Sequence, residues 1–242
     1  MLKTDTKTYA FYLPQFHPCN ANDEFWEEGF TDWVTTYGAK PLFEHHVQPI
    51  ASTELGRYNL TDPDVIRKQA QLARDNNVDG FAIYHYWFGK GDRALEEPIE
   101  ILRKNKDIDI GYYISWVNCN WTKSWVGNDK VIIREQQYDS EFYDELMLDA
   151  IEHFKDDRYQ KLNGAPFFYI HSPKDFDVKS FMKKFSRLAQ EYGFSRIIWL
   201  APEIHVAKSQ KVLFDYLLGY PPGDFNTLER KIKFRLWKLI EK

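Results

Sequence analysis

The sequence predicts an α/β fold of one kind, a TIM-like (β/α) barrel that is incomplete, with about six of the eight βα units. Three observations predict it. Six near-continuous apolar runs recur along the 242 residues, the pattern of parallel strands buried on both faces. Amphipathic helical stretches stand between them, so the order is β then α, repeated. No linker, low-complexity tract or fixed-period repeat interrupts that order, which predicts a single domain over residues 1–242. A doubly wound open sheet is the competing arrangement of the same units.

The first strand is "YAFYLPQF", residues 9–16. Residues 17–59 then break the rhythm, being far longer than an ordinary βα connection. An insertion at the C-terminal end of the first strand lies on the face where barrels place their chemistry, so this loop is expected to form part of a site. The bland alternative is a lid with its own small core. A helix follows in "DPDVIRKQAQLARDNN", where Asp62 is placed as N-cap and Pro63 takes the first helical position. Its apolar stripe through Val65, Ile66, Ala70 and Ala73 marks the face that packs on the sheet. The remaining strands are "GFAIYHYWF" (80–88), "IGYYISWV" (110–117), "PFFYIHS" (166–172), "RIIWLAP" (196–202) and "FDYLLGYPP" (214–222). Helical patterns occupy about 93–104, 140–154, 178–192 and 227–240, with Gly193 ending the one over 178–192.

Composition narrows the partners. A net charge of -4 gives no attraction to a polyanion, so nucleic acid is excluded as a first reading. The aromatic fraction of 17%, with 8 Trp and 15 Tyr, supplies many rings with a polar handle, which suits a flat polar ligand. Cys19 and Cys119 lie far apart with neither metal-ligand nor redox-motif spacing, which predicts free thiols in a reducing cytoplasm. The N-terminus shows no apolar segment of signal-peptide length, and no run approaches the roughly 18 to 20 apolar residues of a membrane span. The expected location is therefore the cytoplasm.

In a barrel, residues at strand C-terminal ends converge on one bowl. Reading those ends, and the loop after the first, gives the expected substrate-binding set. It comprises Tyr12, Gln15 and His17; Trp33; Tyr84, Tyr86 and Trp87; and Trp116, Asn118, Asn120, Trp121 and Trp125. His85, His171, Glu203 and Tyr220 stand at the same ends. Ring faces cover the apolar face of a sugar while amides, imidazoles and phenols bond its hydroxyls, so a neutral glycan is the expected ligand. The bland alternative for any one ring is that it fills the barrel. Phosphate-cradling glycine motifs are absent, and no metal or cofactor is expected. "DID" at residues 107–109 precedes its strand, on the stability face, and His45 and His46 are poorly spaced for chelation.

"FYLPQFHP", "NDEFWEEGFTDW", "AKPLFEHHVQP", "ELGRYNLTDPDV", "GFAIYHYWF", "ISWVNCNWTKSW" and "DDRYQKLNGAPFFYI", in that order, resemble the WbsX-like proteins of bacterial surface-polysaccharide clusters. More remotely they are similar to the family 99 glycoside hydrolases. The resemblance implies a TIM-like barrel acting on glycans as a glycosyltransferase or glycosidase. Two departures bear on activity. Where the family reads Trp-Ala-Asn-Glu-Asn-Trp, this chain has Cys119 in the place of the acid, between Asn118 and Asn120. The hydrolase relatives' carboxylate pair, in an Asn-Glu-Trp-x-Glu-Gly motif after the last strand, has no counterpart before the sequence stops. Catalytic residues are therefore not assigned by the resemblance. Glu203, His17 and His85 are acid/base candidates by position only.

The expectation is a carbohydrate-active protein of O-antigen or capsule biosynthesis. The alternative is a catalytically inactive glycan-binding remnant or interaction scaffold. Two partner expectations accompany it. An incomplete barrel has open edges that predict self-association or a second chain completing it. The tail "ERKIKFRLWKLIEK" reads as a basic amphipathic helix able to lie on the inner membrane face.

Overall fold

The computed structural model describes residues 6–50, 52–123 and 128–219. Its central sheet is built from β1 (Tyr9–Tyr12), β2 (Gly80–Gly89), β4 (Gly111–Trp116), β8 (Ala165–Ile170), β9 (Ile198–Pro202) and β10 (Tyr216–Leu218). These six pair in that order, all parallel, so each strand lies beside the one added before it. β3 (Asp92–Ala94) and β7 (Lys161–Leu162) add short antiparallel pairings to β2 and β8. A separate hairpin joins β5 (Trp121–Lys123) to β6 (Asn128–Arg134).

The sheet is curled. Phe11 of β1 and Tyr169 of β8 have ring centroids 5.8 Å apart, although two strands intervene. On a flat sheet three strand spacings would separate them by about 14 Å. Tyr9 likewise meets Tyr113 of β4 at 5.4 Å across β2. The fold is therefore the partial (β/α) barrel that the apolar runs predict, and among the described residues β1 and β10 each pair on one side only.

Alternation divides each strand between the two faces. Phe81, Ile83, His85 and Trp87 of β2, and Tyr112, Ile114 and Trp116 of β4, face the helices, as their helix contacts show. Tyr84, Tyr86 and Phe88 face the curl. The outer layer is α3 (Pro63–Asp75), α4 (Glu97–Lys104), α5 (Ser140–Phe154) and α6 (Val178–Glu191). α5 buries Phe142, Leu146, Met147, Ala150, Ile151 and Phe154, the spacing of one helical face. Asp62 caps α3 by accepting from the Asp64 N–H, and Gly193, at φ +91, ends the turn after α6 as a residue without a Cβ readily does.

The helix expected over about 93–104 starts later. Asp92–Ala94 pairs with β2, Leu95 takes a left-handed φ of 60, and α4 begins at Glu97 with Pro98 in its first turn. The long loop carries two short helices, α1 (Asn20–Asp23) and α2 (Asp32–Gly38). The predicted helix over 227–240 lies outside the described residues. Among those described, no helix is long and apolar enough to cross a membrane.

Candidate functional site

The mouth of the curl holds a cavity of about 300 Å³. Its floor is Tyr86 and Val117, from the ends of β2 and β4, with Leu13 after β1. One wall is the hairpin face carrying Trp121, Thr122 and Ile133, and the other is Gln15, Asn22 and Trp26 from the long loop, with Cys119 and Asn120 between. The ring of Trp121 stands edge-on to Tyr86 and Phe88, at 5.1 and 5.2 Å, which fixes the indole at the rim. The Asn120 side-chain oxygen accepts the Gln136 backbone N–H at 2.7 Å, and the Gln136 amide donates to the carbonyls of Trp87 and Phe88. These bonds moor the whole 118–137 excursion to the end of β2.

The Asn22 side-chain nitrogen is buried without a hydrogen-bond partner while its residue lines the cavity. A buried amide donor of this kind is costly unless something accepts from it. Among the described residues, none that lines the cavity carries a charge. Burial, with Asp175 as a lesser cause, pushes the Cys119 thiol up to about 11, so it stays protonated near neutrality. Arranged this way, the cavity offers ring faces, amides and an uncharged thiol to a neutral polar ligand.

Of the residues expected from strand ends, the fold brings Gln15, Tyr86, Asn120 and Trp121 together around this cavity. Tyr84 faces the curl nearby, against Phe11 and Tyr86. The others stand elsewhere. Tyr12 donates to Gln69 of α3 at 2.7 Å, on the helix side. Trp87 packs on Phe142 under the Arg93 guanidinium, and Trp116 is fully buried between Phe142 and Phe181. His85 faces Asp149 of α5. His17 is fully buried with Nε2 3.1 Å from the Glu97 carboxylate.

Trp33 donates to the Tyr58 carbonyl and packs with Phe16, Tyr37 and Tyr58, the small core of the long loop. Asn118 is a strap, since its amide donates to the Ser172 carbonyl at 2.8 Å and accepts the Ser172 N–H at 2.7 Å, tying the end of β4 to the end of β8. Glu203 lies in a single 3-10 turn, ion-paired to Lys211 at 2.6 Å. His171 faces the curl beside Tyr169, pushed down to about 4 by burial and then by His205. Trp125 and Tyr220 lie outside the described residues. Asp107 and Asp109 are held by Arg67 and Arg74.

Asn22, Trp26 and Ile133 enter the cavity without a strand-end position to announce them. Trp26 was visible as part of "NDEFWEEGFTDW", but only the turn through α1 carries it to the mouth.

A curled parallel sheet with helices on its outer face and a cavity at the strand ends defines the class of partial (β/α) barrel proteins. Within that class, the chain belongs to the family described as Glycosyltransferase WbsX, whose model matches residues 8–239. It is 33% identical over 164 residues to the uncharacterized protein WxcX of Xanthomonas campestris pv. campestris, in strain B100 and again in strain ATCC 33913. The match covers 68% of this chain and 24% of WxcX, so the chain spans about a quarter of the length of these curated relatives. Among solved structures it is similar to the GH99 endo-alpha-mannosidase from Bacteroides thetaiotaomicron. There the TM-score is 0.49 at 14% identity, covering 85% of this chain and 57% of that one.

Proposed function

We propose that this chain binds a neutral glycan in the cavity between Trp26, Tyr86 and Trp121, as a glycosyltransferase-like or glycosidase-like component of bacterial surface-polysaccharide biosynthesis. The observation that carries this is the pairing of ring faces with amides in one cleft. Its volume of about 300 Å³ lies at the small end of ligand clefts and suits roughly one or two sugar rings. Trp121 covers the apolar face of a ring, and the Asn22 N–H finds its acceptor in a hydroxyl. Membership of the family supports the glycan, and the resemblance of the motifs to surface-polysaccharide proteins supports the setting.

A second reading, a glycan-binding module without turnover, is favoured by one observation. Among the described residues, no carboxylate lines the cavity, whereas glycosidic cleavage ordinarily uses two carboxyl groups flanking the bond. Under both readings the one-sided edges of β1 and β10 are where self-association or a completing chain would dock. A basic helix at 227–240 would supply a peripheral membrane contact.

Glycan-array screening of the purified chain, followed by titration calorimetry, tests the binding. Trp121→Ala is expected to weaken the selected glycan by about tenfold or more, which is about 1.4 kcal/mol or more, with the circular dichroism of the fold retained. A wild-type chain that binds no glycan, or a Trp121→Ala chain of unchanged affinity, overturns the assignment.

A further inference from the structure

On the opposite face of the sheet from the cavity, three buried atoms converge without hydrogen-bond partners. They are Nε2 of His85 on β2, and Nε2 of His153 and Oδ2 of Asp149, one turn apart on α5. The imidazole nitrogens stand 3.6 and 3.7 Å from the same carboxylate oxygen, beyond hydrogen-bond range. Both histidines are almost wholly buried, at 3% and 0% exposure. Glu100 of α4 offers a further carboxylate oxygen, and the ligating atoms of Glu100, Asp149 and His153 all lie within 4.8 Å of one another.

The protonation of His153 follows from its other nitrogen. Tyr112 lies with its hydroxyl 3.2 Å from Asp156 Oδ2 and 3.2 Å from His153 Nδ1. The Asp156 carboxylate, gripped by Arg158 and Lys106, can only accept, so the single Tyr112 proton goes to it. His153 Nδ1 must then donate to the Tyr112 oxygen, which leaves Nε2 with a bare lone pair. That lone pair faces Asp149, another acceptor. At 3.7 Å the two acceptors face each other across a gap that a bound cation fits. An oriented Nδ1–H with a free Nε2 is also the form in which histidine ligates metals.

We propose that Glu100, Asp149 and His153 form a site for a divalent transition metal of the zinc class, pinning α4 to α5, with His85 facing the same Asp149 oxygen from the back of the sheet. An ion about 2.1 Å from both His153 Nε2 and Asp149 Oδ2, which stand 3.7 Å apart, subtends an angle of about 120°, within the range of tetrahedral to trigonal sites. Arg93 stands 3.6 Å from both Asp149 Oδ1 and Glu100 Oε1, and Arg103 binds Glu100 Oε2 at 2.5 Å. These guanidiniums oppose a loosely held cation. The His153 imidazole therefore decides the selectivity, in favour of Zn²⁺ or Co²⁺ and against Mg²⁺ or Ca²⁺. The site lies apart from the glycan cavity and does not depend on that assignment.

The test uses the purified full chain, stripped with chelator and titrated with ZnCl₂ by calorimetry, alongside a thermal melt. One Zn²⁺ per chain at micromolar affinity or tighter is expected, with a rise in melting temperature that MgCl₂ does not produce. Co²⁺ loading is expected to give visible d–d absorption without thiolate charge-transfer bands, which separates this site from Cys19 and Cys119. Asp149→Asn and His153→Gln should each reduce Zn²⁺ affinity at least tenfold, while His45→Ala, on an exposed loop residue, should not. A wild-type chain that takes up no Zn²⁺ overturns the proposal whether or not the variants fold. So does cobalt bound through thiolate alone, or a folded Asp149→Asn chain with undiminished uptake. In those cases a proton on Asp149 is what separates the two acceptors.

Discussion

Replacing Arg158 by methionine should cost this fold a large share of its stability, because one guanidinium holds together two layers. Its Nε and Nη2 grip both oxygens of Asp156, at 3.1 and 2.7 Å. The remaining N–H groups reach the carbonyls of Leu102, Asn105 and Ile108 at 2.6, 3.0 and 2.8 Å, the C-terminal end of α4 and the turn after it. Asp156 is 5% exposed. Burial alone would raise its carboxyl, but the Arg158 and Lys106 hydrogen bonds prevail and hold it well below the usual carboxylate range.

Methionine keeps the apolar stem and removes every one of these donors. Breaking one side of a buried pair costs about 3–5 kcal/mol, against a total of about 5–15 kcal/mol for a domain. With a urea slope of about 2–3 kcal/mol/M, the midpoint should fall by about 1–2.5 M, read by tryptophan fluorescence. Asp156→Asn should cost less in the Arg158→Met background than alone, since its partner is already gone. Because the folded pKa of Asp156 is depressed, its contribution is complete above the unfolded value near 4 and disappears as pH falls below that. The wild-type advantage over Arg158→Met should therefore shrink under acid. A midpoint shift of a few tenths molar, or strictly additive losses in the double variant, would refute this account of the network.

Two further substitutions probe other links. Asp32 is buried at 7% exposure with Oδ1 unpartnered, and burial pushes its carboxyl up to about 7. A raised folded pKa makes the ionised form a burden that is absent below the unfolded value near 4, grows with pH and is complete above about 7. Asp32→Asn should thus melt higher than wild type at pH 8, by about 1–2 kcal/mol after the lost helix N-terminal charge is deducted, and show no such gain at pH 4. An equal gain at both pH values would contradict it. Gly80 admits no side chain, since a Cβ there would lie 2.4 Å from the Tyr9 ring and 2.5 Å from the Gly111 carbonyl oxygen. Gly80→Ala should lose about 2–4 kcal/mol by forcing β1 and β4 away from β2, whereas Gly38→Ala, with nothing within 4 Å, should be near neutral by urea titration.

The order of strands and helices was legible because parallel strands buried on both faces read as continuous apolar runs, and α3, α5 and α6 carry clear stripes. The same continuity hid the facing of each side chain. In "IYHYWF" every residue is large and ring-bearing or apolar, so nothing in the sequence says that Tyr84 and Tyr86 enter the curl while His85 and Trp87 turn to the helices. Strand register decides that, and register is a tertiary property. The hairpin from Trp121 to Arg134 was likewise invisible, its polar and apolar residues lacking either period. Asn22 and Trp26 were unpredictable for a related reason, because a non-periodic loop positions them through caps and turns.

The strand order has a temporal meaning as well as a spatial one. Each parallel strand docks against the strand most recently completed, so the backbone ladder extends in chain order, while the Phe11–Tyr169 contact across the curl closes only when β8 arrives. A ribosome releasing this chain would see the sheet grow at one advancing margin, in register with synthesis.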